Sequence, residues 1–141
     1  MTPDQITLVQ QSFAKVAPIS EQAAVIFYNR LFETAPSVRA MFPDDMTEQR
    51  RKLMATLAIV VNGLSNLEMV LPAAASLATR HVDYGAKAEH YPVVGSALLW
   101  TLEKGLGADW TPDVAEAWTT AYDTLSGFMI AQAYGRPQAA E

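Results

Sequence analysis

The chain has 141 residues, half of them hydrophobic and 18% charged, a composition that suits one globular domain with one core. Its net charge of −5 argues against a nucleic-acid surface, which needs clustered Lys and Arg. The absence of cysteine excludes disulfides, thiolate ligands and cysteine-held clusters, and two histidines, His81 and His90, are too few for a structural zinc site.

The opening MTPDQITLVQ lacks a basic start followed by an apolar run, so no signal peptide is expected. Apolar runs such as residues 57–61 are far too short to span a bilayer, and the expectation is a soluble, cytoplasmic protein without membrane or nucleic-acid partners. No repeat or linker interrupts the chain. Residues 1–134 read as one domain and the closing GRPQAAE, residues 135–141, as a tail.

Thr2-Pro3-Asp4-Gln5 is a helix start, with a hydroxyl cap, Pro at the first position and Gln three after the cap. Ile6, Val9, Phe13 and Val16 follow as a helical stripe, and Pro18 ends it. Ser20 is expected to cap a second helix with Ala23, Ala24, Phe27, Tyr28 and Leu31 on its inner side. Pro36 opens a short helix, PSVRAMF, closed by Phe42-Pro43, and PDDMT is a corner.

A further helix spans about 47 to 62, with Gln49, Leu53, Thr56, Leu57 and Val60 on its inner face and Gly63 as its stop. Ile59-Val60-Val61 has strand propensity, but the flanking helical period outweighs it. The next helix begins near Pro72 or a turn earlier and stops at Tyr84-Gly85; another runs from about Glu89 to Gly105. Thr111-Pro112-Asp113 caps the last helix, which passes Val114, Trp118, Tyr122, Leu125 and Met129 and ends at Gly135. Six long helices and one short one, without alternating strands, make the class all-α.

Within the helix after Pro72, Leu71, Ala74, Ala78 and His81 fall at helical spacing with Leu77 beside them, so an apolar stripe ends in an imidazole. An iron porphyrin needs such a group on one side of its plane. On its own, a single helical histidine reads more readily as a surface or capped core residue. Its neighbours at fixed distances change that balance.

Those neighbours are IFYNRLF with Tyr28, RAMFP with Phe42, QRRKLM with Gln49 and Leu53, RHVDYG with His81, HYPVVG with Tyr91, and EAWTTAY with Trp118. Their order and spacing resemble the bacterial globins of the flavohaemoglobin lineage, small single-domain members above all, over nearly the whole chain. The resemblance implies a globin fold, a three-on-three helical sandwich around one haem b. It implies His81 as the proximal iron ligand, with its other ring N–H on a carbonyl such as that of Leu77. Phe42 would lie flat on the porphyrin, and Leu53, Leu57, Val94 and Leu98 would wall the pocket. Arg80 and His90 would pair with propionates; solvated surface is the alternative for both.

Tyr28 and Gln49 fall on inward faces, where a hydroxyl and an amide are costly unless paired. In the implied fold they donate to the gas. The plainer alternative sends Tyr28 to a nearby carbonyl and Gln49 to solvent. The helix from 47 to 62 offers no second histidine, so an open sixth iron position is expected.

Two departures from the resemblance matter. Flavohaemoglobins continue into flavin and nicotinamide domains that these 141 residues do not contain, so reduction is expected to need an external reductase. Their ligand histidine is supported by a Tyr–Glu pair; Tyr91 matches the tyrosine, but Ala133 stands at the glutamate position, with Gln132 and Tyr134 beside it. Weaker electron push disfavours peroxidase-like chemistry. The expected function is reversible binding of O2, with CO and NO as further ligands and nitric oxide dioxygenation as a second step. The alternatives are a haem-based sensor or electron carrier, and a haem-free helical interaction module.

Overall fold

The computed structural model describes residues 2–83 and 90–134. Six α-helices follow in order: α1 Pro3–Val16, α2 Ser20–Thr34, α3 Thr47–Asn62, α4 Leu67–Asp83, α5 His90–Leu106 and α6 Pro112–Tyr134. Short 3-10 helices at Ala17–Ile19, Pro36–Met41 and Gly107–Asp109 make corners, and the described residues contain no strand. Gly107 has φ +54°, a left-handed turn that glycine takes without strain between α5 and α6.

The helix starts show local chemistry at work. Thr2 Oγ1 accepts from Gln5 N at 3.1 Å and Gln5 Oε1 accepts from Thr2 N at 3.0 Å, a reciprocal cap for α1. Thr111 Oγ1 accepts from Val114 N at 3.3 Å to start α6. Ser20 is not the expected cap: it is the first residue of α2, and its N–H bonds Ala17 O because the preceding 3-10 turn runs straight into the helix.

Two further expectations are corrected. α4 begins at Leu67, five positions before Pro72, and carries that proline inside it. Glu68 and Pro72 are both exposed, so water can take up the carbonyl that proline leaves without its partner. Leu71, expected at the head of the inner stripe, is 37% exposed, whereas Ala74 and Ala78 are buried. The run Ile59-Val60-Val61 is helical: Ile59 is 61% exposed, Val61 alone is buried, and Gly63 N closes on Ile59 O and Val60 O. The expected stop at Tyr84-Gly85, the start at Glu89, the stop at Gly135 and the tail lie outside the described residues.

α1, α3 and α4 pack over α2, α5 and α6 as two layers. α2 lies along α5, α1 along α6 and α4 along α6, while α3 rests on α2 and α1. One buried hydrogen bond ties the two ends of the chain: Trp118 Nε1 donates to Ser12 Oγ at 2.8 Å, and Ser12 Oγ donates to Leu8 O at 2.7 Å. Gln10 Nε2 donates to Val61 O at 3.0 Å and joins α1 to α3.

Among the described residues, the buried apolar side chains fall into a larger and a smaller cluster. The larger joins α1, α2, α3, α5 and α6 and includes Phe27, Tyr28, Leu98 and Trp118, with Phe42, Leu53, Leu57 and Val94 packed against it. The smaller consists of Ala74, Ala78, Tyr91 and Met129, with Leu77, Leu125 and Ala133 packed against it.

Trp118→Ala is expected to cost about 3–5 kcal/mol through a cavity at the centre of the larger cluster, and Ser12→Ala about 1 kcal/mol through the lost hydrogen bond. Urea denaturation checks this; equal midpoint shifts would show that the indole packs little.

Candidate functional site

The expected site residues fall on two separate parts of the fold, Tyr28 and Gln49 on α2 and α3 and His81 on α4. On the α2–α3 side, Tyr28 is buried and its Oη accepts from Gln49 Nε2 at 3.1 Å. The phenol oxygen is bonded to the amide, and Gln49 is half-buried. Because the phenol oxygen accepts here, its own O–H proton remains to be given to a third group. Gln49 uses one amide hydrogen on Tyr28 and thereby sets where that O–H points. Burial pushes the Tyr28 pKa up, partly offset by the Gln49 bond, so the side chain stays a protonated donor.

Aromatic packing fixes that phenol. Its ring meets Phe27 edge-on at 4.9 Å, Phe32 at 5.9 Å and Phe42 edge-on at 5.5 Å between centroids. Phe42 is half-buried at the end of the Pro36–Met41 turn. Arg39, a residue that the sequence reading passed over, holds this corner. Its guanidinium donates to the carbonyls of Phe42, Pro43 and Asp44 at 3.2, 3.0 and 3.3 Å and lies 5.1 Å over the Phe32 ring. The RAMFP run offers one signal for it: an Arg three residues before an aromatic corner, with a fork of donors suited to several carbonyls.

On the α4 side, His81 is half-buried and its Nδ1 lies 2.7 Å from Leu77 O. A carbonyl can only accept, so Nδ1 carries a proton toward Leu77 O, which makes Nε2 the ring atom that a metal would take. The Tyr91 ring lies 6.3 Å from the imidazole at 31°. Ala133 packs against the cluster that contains Tyr91, so a methyl group adjoins it where the resemblance implies a carboxylate. Arg80 is exposed near the end of α4, and His90 is half-buried as the first residue of α5.

Leu53, Leu57, Val94 and Leu98, the expected apolar wall, line one cavity of about 90 Å³ together with Phe27, Trp118 and Tyr122. Tyr122 was read from the sequence only as part of the inner stripe of the last helix. Its Oη donates to Tyr91 O at 2.6 Å, and burial pushes its pKa up. No periodicity distinguishes a tyrosine that reaches another helix's backbone from one that merely packs.

The residues present fit a flat, largely apolar group with a metal at its centre. Apolar side chains at Phe42, Leu53, Leu57, Leu77 and Val94 stay half-buried, the His81 imidazole has Nδ1 on Leu77 O beside the cluster of Ala74, Ala78, Tyr91 and Met129, and Tyr28, paired to Gln49, belongs to the larger cluster. No group of three or more His, Asp or Glu side chains that could hold a bare metal ion occurs among the described residues. His81 is thus the candidate metal ligand, with the remaining ligands supplied by the group itself.

Comparison with known proteins agrees with this geometry. The chain is 33% identical over 128 residues to a flavohemoprotein of Rhodopirellula baltica, covering 89% of this chain but 31% of the relative. The chain therefore spans about a third of such relatives' length. It is 33% identical over 137 residues to leghemoglobin 3 of Sesbania rostrata, covering 89% of this chain and 93% of that one. A solved bacterial globin from Campylobacter jejuni superposes with a TM-score of 0.79 at 27% identity, over 94% of this chain and 96% of that chain. The Globin family model matches residues 25–129, and with the two-layer helical fold this makes the chain a member of the globin family.

Proposed function

We propose that this chain is a haem-binding globin that takes up oxygen, and with it CO and NO, reversibly. The observation that carries the reading is the presence, in a globin fold, of two polar devices on apolar helix faces: His81 with Nδ1 on Leu77 O, and Tyr28 paired to Gln49. The flavohemoprotein and leghemoglobin relatives support it. The lack of cysteine leaves non-covalent haem b as the form that fits, because no thiol can make a thioether link.

A bound haem would supply an iron that takes up a small gas. His81 would hold it, with Leu77 O orienting the ring through Nδ1, and Tyr28 would offer its O–H as a donor to the gas, with Gln49 orienting that donor. A hydrogen bond to a charged group is worth about 1.5–3 kcal/mol, so Tyr28 slows oxygen release by roughly ten- to a hundredfold. Carbon monoxide carries less charge and gains less. Leu53, Leu57, Val94 and Leu98 exclude water and so strengthen that bond. Arg80 and His90 stand near the ends of α4 and α5 as candidate partners for the propionates.

Nitric oxide dioxygenation is proposed as a second activity, on the strength of the flavohemoprotein relatives; it consumes reducing equivalents that a reductase must supply. Nitrate formation from NO with a supplied reductase is the expected result, and a rate equal to the haem-free background removes the enzymatic claim.

His81→Ala is expected to abolish tight haem uptake, measured by loss of the Soret band on titration, together with the stability that a ligand lends to the folded state. Tyr28→Phe is expected to speed oxygen dissociation by roughly tenfold or more, in stopped-flow measurement; an unchanged rate means that the hydroxyl points elsewhere.

The raised Tyr28 pKa also gives a stability profile. The fold favours the neutral phenol, so its contribution is complete below the unfolded value of about 10 and is lost as pH rises through the folded value. Urea midpoints between about pH 8 and pH 11 should therefore fall less steeply in Tyr28→Phe than in the parent chain.

A further inference from the structure

Of the three rings packed on Tyr28 among the described residues, two share its own helix. Phe27 and Phe32 belong to α2, whereas Phe42 comes from the corner that follows the Pro36–Met41 turn. Phe42 also meets Phe32 edge-on at 5.5 Å. Residues 42–46 lie in no helix, so no helical ladder takes up their carbonyls. The same stretch leads into α3, where Gln49 stands in the first turn and donates to Tyr28 Oη. The place of this corner therefore governs how both Phe42 and Gln49 meet the phenol.

One side chain ties the corner back to α2. Half-buried Arg39 donates Nη1 to Phe42 O and Pro43 O and Nη2 to Asp44 O, while its guanidinium lies 5.1 Å over the Phe32 ring. Phe42 N donates in turn to Arg39 O at 3.1 Å. Among the described residues the ion pairs are those of Lys15, Arg30 and Arg51, so Arg39 directs its charge to main chain and to a ring. A planar fork can hold several carbonyls while it lies on an aromatic face; an ammonium has no such plane.

We propose that Arg39 is a positioning residue for gas stabilisation: by pinning the 42–46 corner to the Phe32 ring, it fixes Phe42 and the start of α3 around Tyr28 and so sets the direction of the phenol O–H. Arg39 acts through the rings and the corner, not on the gas itself. This inference rests on the haem reading above.

The test uses the full chain reconstituted with haem and the variants Arg39→Met and Arg39→Lys, each also combined with Tyr28→Phe. Arg39→Met keeps an aliphatic stem and removes the fork; Arg39→Lys keeps the charge and is the milder change. Oxygen dissociation is expected to speed up by about three- to tenfold in Arg39→Met and by less in Arg39→Lys. In the Tyr28→Phe background neither change is expected to add anything. The infrared C–O band of the CO complex is expected to move in Arg39→Met in the direction that it moves in Tyr28→Phe. The Phe42 amide is expected to exchange with solvent about tenfold faster in Arg39→Met. Faster amide exchange with unchanged oxygen release and an unmoved band overturns the proposal, because Arg39 would then only brace the corner. The same acceleration with and without the Tyr28 hydroxyl also overturns it and leaves the haem reading intact. A parent chain with no Soret band after haem addition overturns the haem reading, and this inference with it.

Discussion

The helix that carries His81 is held to the rest of the molecule chiefly by one neighbour, α6. Small residues, Ala74 and Ala78, bring α4 against Met129 and its surroundings on α6, while Trp118 anchors the other half of α6 to α1. α3 meets α2 and α1 instead. The surroundings of His81 and of the Tyr28–Gln49 pair are thus carried by different supports.

On the α2–α3 wall the chain keeps a phenol and an amide in apolar surroundings. Each is costly to bury alone, and their mutual bond offsets part of the cost. Burial also keeps Tyr28 protonated, so the environment that makes the group costly is the one that makes it a dependable donor. The surrounding rings of Phe27, Phe32 and Phe42 leave the phenol little rotational freedom. Arg39 extends the same logic to the corner, gathering three carbonyls that would otherwise turn to solvent. Rigidity on this wall costs nothing at the moment of binding, which is the value of preorganised donors.

On the α4 side, Leu77 O is a neutral acceptor for His81 Nδ1, and Ala133 packs against the cluster that contains Tyr91. From α6, Tyr122 Oη donates to Tyr91 O and so ties α6 to the start of α5.

The sequence by itself determined the helices, their order and most of the wall residues. Caps such as Thr2 with Gln5 and Thr111 act within a few residues, and apolar stripes such as Val9, Phe13 and Val16 repeat at helical period, so neither needs the rest of the chain to be legible. His81 with Leu77 O was readable for the same reason, because the two are one turn apart. Tertiary structure alone decided what depends on distant partners: Gln49 donating to Tyr28, Trp118 finding Ser12, and Tyr122 entering α5 at Gly95. It also decided that Leu71 turns outward and that Val61, in a run with strand propensity, is buried in a helix. Local pattern shows which face of a helix is apolar. Which polar atom on that face meets which backbone depends on how the helices cross, and that is settled only when all six pack.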